Sequence, residues 1–112
     1  MDKLEQYRDA IEKVLLPYAD TRYTYGNFQN QALFDRERDH YAIISQGWDH
    51  RGVRSHTCLI HVDIINDKVW LQYDGTDAVI ADELIEAGIP QSEIVLGFHE
   101  PKIRPHTGFA VA

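Results

Sequence analysis

The sequence predicts an α+β domain, in which a mostly antiparallel sheet of four to five strands carries two helices packed on one face. Three observations lead to this prediction: an amphipathic helical pattern opens the chain, a run of strand-like segments separated by turn residues follows, and a second short helical pattern comes after it. The 112 residues, 44% of them apolar, are enough to bury one hydrophobic core. We therefore expect residues 1–112 to form a single domain.

The first helix is predicted from apolar residues that recur on one helical face. Asp2 is a suitable N-cap, and Glu5 lies at the position that completes a capping box. Pro17 is expected to end or kink the helix near Leu16. Residues 20–27 are predicted to be a connector. The apolar stripe consists of Leu4, Tyr7, Ile11, Val14, Leu15 and Tyr18.

The second helix is predicted at residues 78–87, with an apolar stripe of Val79, Ile80, Leu84 and Ile85. Gly88 suits the left-handed C′ position, and Ile89 can pack back onto Leu84 as in a Schellman motif.

Strands are predicted at residues 29–34, 40–48 and 53–65, then from residue 68 and at 94–96. A two-residue turn at Asn66-Asp67 sets the register of the longest hairpin. That register places three apolar pairs on one face, with Cys58 beside them: Ile64–Val69, Val62–Leu71 and Ile60–Tyr73. The opposite face carries His61, Asp63, Trp70, Gln72 and Asp74.

Charge and cysteine content narrow the class of protein. Eighteen acidic and eleven basic residues give a formal charge of -7, which disfavours a general nucleic-acid binder. The single cysteine, Cys58, excludes an internal disulfide and suits a reducing cytoplasm. The charged start of the chain lacks the apolar segment of a signal peptide, and no apolar run is long enough to span a membrane. We expect a cytoplasmic protein.

One pattern suits catalysis or metal binding: His61-x-Asp63 places an imidazole and a carboxylate on one face of a strand. Two ligands do not make a metal site, and the sequence cannot place the third; His40 and His99 are the candidates. The favoured interpretation is a polar cross-strand cluster with Trp70 and Gln72. We therefore predict no catalytic residues, no metal and no cofactor, and a metal-dependent hydrolase at His61 and Asp63 is the least favoured function.

Two further segments are candidate contact surfaces. Arg51 and Arg54 lie in a basic stretch between two predicted strands and could contact DNA, although a solvated hairpin tip is the favoured interpretation. The chain ends in Phe109-Ala110-Val111-Ala112, which is too apolar for a solvated tail.

Ordered motifs along the whole chain resemble the XisI family, the fdxN element excision controlling factors of cyanobacteria. The chain departs from the family pattern at Glu100, where many members have proline, and at Pro17. The motifs that carry the resemblance are Arg38-Asp39-His40-Tyr41, Gly47-Trp48-Asp49, His61-Val62-Asp63-Ile64, Lys68-Val69-Trp70-Leu71-Gln72, Gly75-Thr76-Asp77, Gly88-Ile89-Pro90, Ile94-Val95-Leu96-Gly97-Phe98-His99 and Thr107-Gly108-Phe109-Ala110-Val111-Ala112.

The resemblance implies an accessory role in programmed excision of a DNA element during heterocyst development. It also implies a partner, an XisH-like protein, and an association with DNA that is indirect, through a recombination complex. It supplies no catalytic residues. A second copy of the chain is another possible partner, and direct DNA binding through Arg51 and Arg54 is the alternative function. On the family interpretation, the residues predicted to form a partner interface are Phe98, His99, Phe109 and Val111.

Overall fold

The structure is a computed structural model that describes residues 2–20 and 27–112. Most of the connector predicted at residues 20–27 therefore lies outside the described residues. The described elements, in chain order, are helix α1 (Lys3–Ala19), strands β1 (Asn27–Asp35), β2 (His40–Trp48), β3 (Arg54–Ile65) and β4 (Lys68–Asp74), helix α2 (Ile80–Glu86) and strand β5 (Ile94–Leu96). Short 3₁₀ turns occupy Gln91–Glu93 and Arg104–His106.

The five strands form one mixed sheet in the order β1-β2-β3-β4-β5. The first four strands pair antiparallel, and β5 runs parallel to β4 because α2 provides the crossover between them. Both helices and one face of the sheet contribute side chains to a single hydrophobic core. The predicted α+β architecture is confirmed.

Helix α1 begins as predicted but ends later. Asp2 caps it by accepting a 2.8 Å hydrogen bond from the Glu5 amide. The helix continues past Pro17 to Ala19, so the predicted end near Leu16 is wrong. Pro17 lacks the N–H group that would donate within the helix. A tertiary contact holds the last turn instead, because the side-chain amide of Asn30 donates to the Tyr18 carbonyl at 2.7 Å.

Helix α2 is shorter than predicted at its start. The Asp74 carboxylate accepts a 3.0 Å hydrogen bond from the Ile80 amide, which fixes the first turn there. Val79 is consequently outside the helix and exposed, and Ala81 is buried beside Ile80. The predicted C-terminal motif is confirmed.

Two β-bulges change the predicted register. Between β2 and β3, Ile43 pairs with Ile60 and Ile44 with Cys58, so Leu59 has no partner in β2. The prediction that Cys58 lies beside the apolar face is wrong, because this bulge turns Leu59 towards the core and leaves Cys58 exposed.

The second bulge lies between β3 and β4. Val62 pairs with Leu71 as predicted, but His61 then pairs with Tyr73, and Gln72 is the extra residue. The predicted Ile60–Tyr73 pair is therefore wrong. Ile60 pairs with Asp74 instead and is fully buried, whereas Tyr73 is half exposed.

The C-terminal segment packs against β5. Ala110 forms a parallel bridge with Val95, and its amide donates to the Ile94 carbonyl at 2.9 Å. Phe109 packs against the hydrophobic core. Within the described residues, no helix is long and apolar enough to cross a membrane.

Candidate functional site

The face of the sheet opposite the helices carries a compact cluster of two imidazoles and one carboxylate. We call this face the open face; it includes His40, Ala42, His61, Asp63 and Trp70. His40 begins β2 and lies directly opposite Asp63 on β3. His61 is two residues before Asp63, so its side chain emerges on the same face.

Both imidazoles contact the same carboxylate oxygen. Nδ1 of His40 lies 2.8 Å from Oδ1 of Asp63, and Nε2 of His61 lies 2.9 Å from it. The hydrogen bond that the His40 imidazole makes to the Asp63 carboxylate raises the pKa of His40 above its ordinary value, since the carboxylate stabilises the protonated ring. We call His40, His61 and Asp63 the His–Asp cluster.

The carboxylate of the cluster is buried. Asp63 is 6% exposed, and it is the only buried charged residue in the part of the chain that the structure describes. Its second oxygen, Oδ2, accepts a 3.2 Å hydrogen bond from Nε2 of Gln72, the bulge residue of β4. Gly97 lies directly against the side chain of Gln72. A Cβ atom at position 97 would lie only 2.5 Å from Oε1 of Gln72.

The structure resolves which of the two candidate histidines joins His61 and Asp63. It is His40, whose ligand atom lies within 4.8 Å of those of the other two residues. His99 lies outside the cluster; its ring contacts that of Phe98 in a tilted arrangement, with centroids 4.6 Å apart. The prediction that the chain binds no metal depended on the lack of a third ligand, and His40 places a third possible ligand atom beside the other two.

The sequence names both His40 and His99 as candidates, and it cannot choose between them because the choice depends on the bulge at Leu59. Without a bulge, the pairing of Trp48 with Arg54 would extend to a pairing of His40 with Val62. The bulge shifts the register by one residue. His40 is then paired with Asp63, and both side chains lie on the open face.

A shallow cavity lies beside the cluster on the open face. Its volume is about 490 Å³, and its lining combines His40 and His61 with the apolar side chains of Ala32, Leu33 and Ala42. Leu33 is 55% exposed at this position. Solvent therefore reaches the cluster at its two histidines, whereas its carboxylate is buried.

The two candidate DNA-contacting arginines have protein partners. Arg51 forms a 3.1 Å ion pair with Asp49 inside the β2–β3 turn. The guanidinium of Arg54 lies 5.2 Å from the ring centroid of Trp48, which is half exposed. Both arginines lie at the same end of the sheet, and both are exposed.

The residues predicted to form a partner interface divide into two groups. Phe98 and Val111 are 49% and 52% exposed, and Ile103 between them is 41% exposed. Phe109 instead packs on the protein's own core. The backbone carbonyl of His99 accepts a 3.0 Å hydrogen bond from Arg104, so this histidine helps to hold the segment in shape.

These features define a small α+β domain with two helices on one face of a mixed sheet and a His–Asp cluster on the other. The family model described as "XisI protein" matches residues 1–111, and the chain therefore belongs to the XisI family. No curated protein matches the chain significantly.

Two solved structures from Anabaena variabilis are similar to this chain over nearly its whole length. One is a XisI-like protein with a TM-score of 0.89 and 37% identity, covering 97% of this chain and 99% of its own. The other is the fdxN element excision controlling factor XisI, with a TM-score of 0.84 and 37% identity, covering 99% of this chain and 100% of its own. Both therefore carry the same fold as this chain.

Proposed function

We propose that this chain is a non-catalytic accessory factor in the excision of a DNA element, and that it acts in the cytoplasm through contacts with an XisH-like partner. The observation that carries the proposal is the match to the XisI family over residues 1–111, together with the similarity to a solved fdxN element excision controlling factor. On this proposal the chain acts by contact, so it needs a surface for its partner.

The C-terminal segment is the surface that best suits a protein partner. Phe98, Ile103 and Val111 expose large apolar side chains within a short stretch of chain. Exposed apolar and aromatic side chains are typical of the energetically important residues of protein interfaces.

This segment is held in a fixed shape before any partner binds. Ala110 is hydrogen-bonded to β5, and Nε2 of Gln91 donates to the Gly108 carbonyl at 2.9 Å. The guanidinium of Arg104 lies 5.0 Å from the ring centroid of Trp70, which ties the segment to the open face. A preorganised surface loses less conformational entropy on binding, which favours affinity.

The proposal is tested by co-expressing the chain with an XisH-like protein and separating the products by size-exclusion chromatography. We expect the two chains to elute together, and we expect Phe98→Ser and Val111→Ser to weaken the complex. Leu16→Ser is the matched control, because Leu16 is similarly exposed but lies on α1. Separate elution of the two parent chains would contradict the proposal.

Point variants test this interface better than removal of the tail. Deleting residues 108–112 removes Phe109 from the core and the bridge between Ala110 and Val95, so it should also lower the melting temperature. Phe98 and Val111 contribute exposed surface, so their substitution should leave the melting temperature close to that of the parent.

A further inference from the structure

The His–Asp cluster brings three possible metal-ligand atoms together at one point of the open face. We propose that His40, His61 and Asp63 bind a divalent transition metal ion. This inference goes beyond the proposed function and does not depend on it.

The ligand types select the class of metal. Two imidazole nitrogens and one carboxylate oxygen suit Zn²⁺, Co²⁺ and their neighbours in the first transition row. Ca²⁺ and Mg²⁺ prefer sets of oxygen ligands, so they suit this cluster poorly.

The distances require only a small adjustment. The imidazole nitrogens of His40 and His61 lie 2.8 Å and 2.9 Å from Oδ1 of Asp63. Around a tetrahedral ion with bonds of about 2.0 Å, ligand atoms are about 3.3 Å apart. The two nitrogens therefore need to move about half an ångström away from Oδ1, and they need to come to about 3.3 Å from each other, starting from a separation within 4.8 Å. His40 and His61 are 59% and 39% exposed at the side chain and have room to do so.

The backbone already places the three residues in position. His40 and Asp63 are directly opposed on neighbouring strands, and His61 and Asp63 share a face of β3. Gln72 holds the second carboxylate oxygen from behind, which is the kind of outer contact that orients a metal-binding carboxylate. A ligand set on paired strands is more rigid than one on loops.

Three protein ligands leave a tetrahedral ion with one further position. Asp63 is buried and the histidines face outwards, so that position is on the solvent side, next to the shallow cavity lined by Leu33 and Ala42. In the free protein a water molecule is the expected fourth ligand.

The test uses tag-free protein that has been stripped with a chelator and titrated with Co²⁺ while its visible absorption is recorded. We expect an intense absorption that saturates at an equimolar amount of Co²⁺ and disappears when Zn²⁺ is added. Asp63→Asn removes the charge but keeps the shape of the side chain. His40→Ala removes a side chain that is largely exposed. Each should weaken Co²⁺ binding by about tenfold or more.

His56→Ala is the matched control. His56 lies on the same strand as His61 and is exposed, but it pairs with Gln46 and lies outside the cluster. This variant should bind Co²⁺ like the parent, and thermal melts should show that all three variants fold. A parent that gives no saturable Co²⁺ absorption overturns the proposal, and so does a parent whose binding is unchanged by Asp63→Asn and His40→Ala. The His–Asp cluster is then only a hydrogen-bonded group.

Discussion

Val62 and Asp63 are neighbours on β3 that are both buried, but on opposite faces of the sheet. Val62 is fully buried in the hydrophobic core, while Asp63 is buried under His40, His61 and Gln72. A carboxylate is tolerated at position 63 because three side chains satisfy it there. Position 62 offers a carboxylate no such partners, since its surroundings are aliphatic and aromatic.

Replacing Val62 with aspartate should therefore destabilise the fold strongly. We expect Val62→Asp to lower the free energy of unfolding by about 3 kcal/mol or more, because the substitution buries an unpaired charge. Chemical denaturation monitored by circular dichroism measures the change. Ile65→Asp is the control, since Ile65 lies on the same strand but is 38% exposed and should tolerate the charge better. Parent-like stability of Val62→Asp would contradict the observed register.

At the scale of the elements, two arginines connect α1 to the corner between β1 and β2. Arg36 binds Glu12 at 2.7 Å and Glu5 at 2.9 Å. Arg8 donates hydrogen bonds to both carboxylate oxygens of Asp39, at 2.8 Å and 3.2 Å. The hydrogen bond from Arg8 lowers the pKa of Asp39 below its ordinary value, with a further contribution from the Tyr41 hydroxyl. The helix is thus attached to the sheet by ion pairs in addition to the apolar core.

The ion pair between Arg8 and Asp39 should make part of the stability depend on pH. The folded state binds the Asp39 proton less tightly than the unfolded state, so the contribution is present above the ordinary aspartate pKa of 3.8 and is lost as the pH falls through the folded value. We expect Asp39→Asn to cost about 1–2 kcal/mol at neutral pH. The difference from the parent should shrink below pH 3.8, as measured by urea unfolding at several pH values.

The control for this prediction is Asp9→Asn. Asp9 pairs with Arg36 at 3.2 Å, but its side chain is 53% exposed, so solvent screens the pair and the loss should be smaller. A cost for Asp39→Asn that stays the same at neutral and at acid pH would mean that charge is not the source of the stabilisation.

At the scale of the whole molecule, the negative net charge predicts weak binding to DNA. The formal charge of -7 repels phosphate, and Arg51 is already paired with Asp49. The other predicted DNA-contacting arginine, Arg54, lies against Trp48.

We expect the isolated chain to bind short DNA duplexes weakly and without sequence preference at physiological salt. Fluorescence anisotropy with labelled duplexes of unrelated sequence measures the affinity and its dependence on salt. Arg51→Ala combined with Arg54→Ala should change it little. Tight, sequence-selective binding that this double variant abolishes would instead support direct DNA binding as the function.

Features set by neighbouring residues were predictable from the sequence. The Asp2 cap, the bounds of β2 and β5 and the motif after α2 all agree with the structure. In that motif the Ile89 amide donates to the Leu84 carbonyl at 3.1 Å and the Gly88 amide to the Ile85 carbonyl at 3.0 Å, with Gly88 at a φ of 109°. Such features depend on residues a few positions apart, so hydrophobic spacing and backbone preference suffice to predict them.

Features that depend on contacts between distant parts of the chain required the tertiary structure. Helix α1 continues past Pro17 because its end packs against the sheet, and Phe109 is half-buried because the C-terminus pairs with β5. The bulges at Leu59 and Gln72 result from fitting paired strands to one core, and no single strand encodes them. Since a shift of one residue changes which residues of paired strands face each other, the bulge at Leu59 decided that His40 meets His61 and Asp63. The sequence alone therefore determined the fold class and the family resemblance, and the tertiary structure decided the candidate metal site.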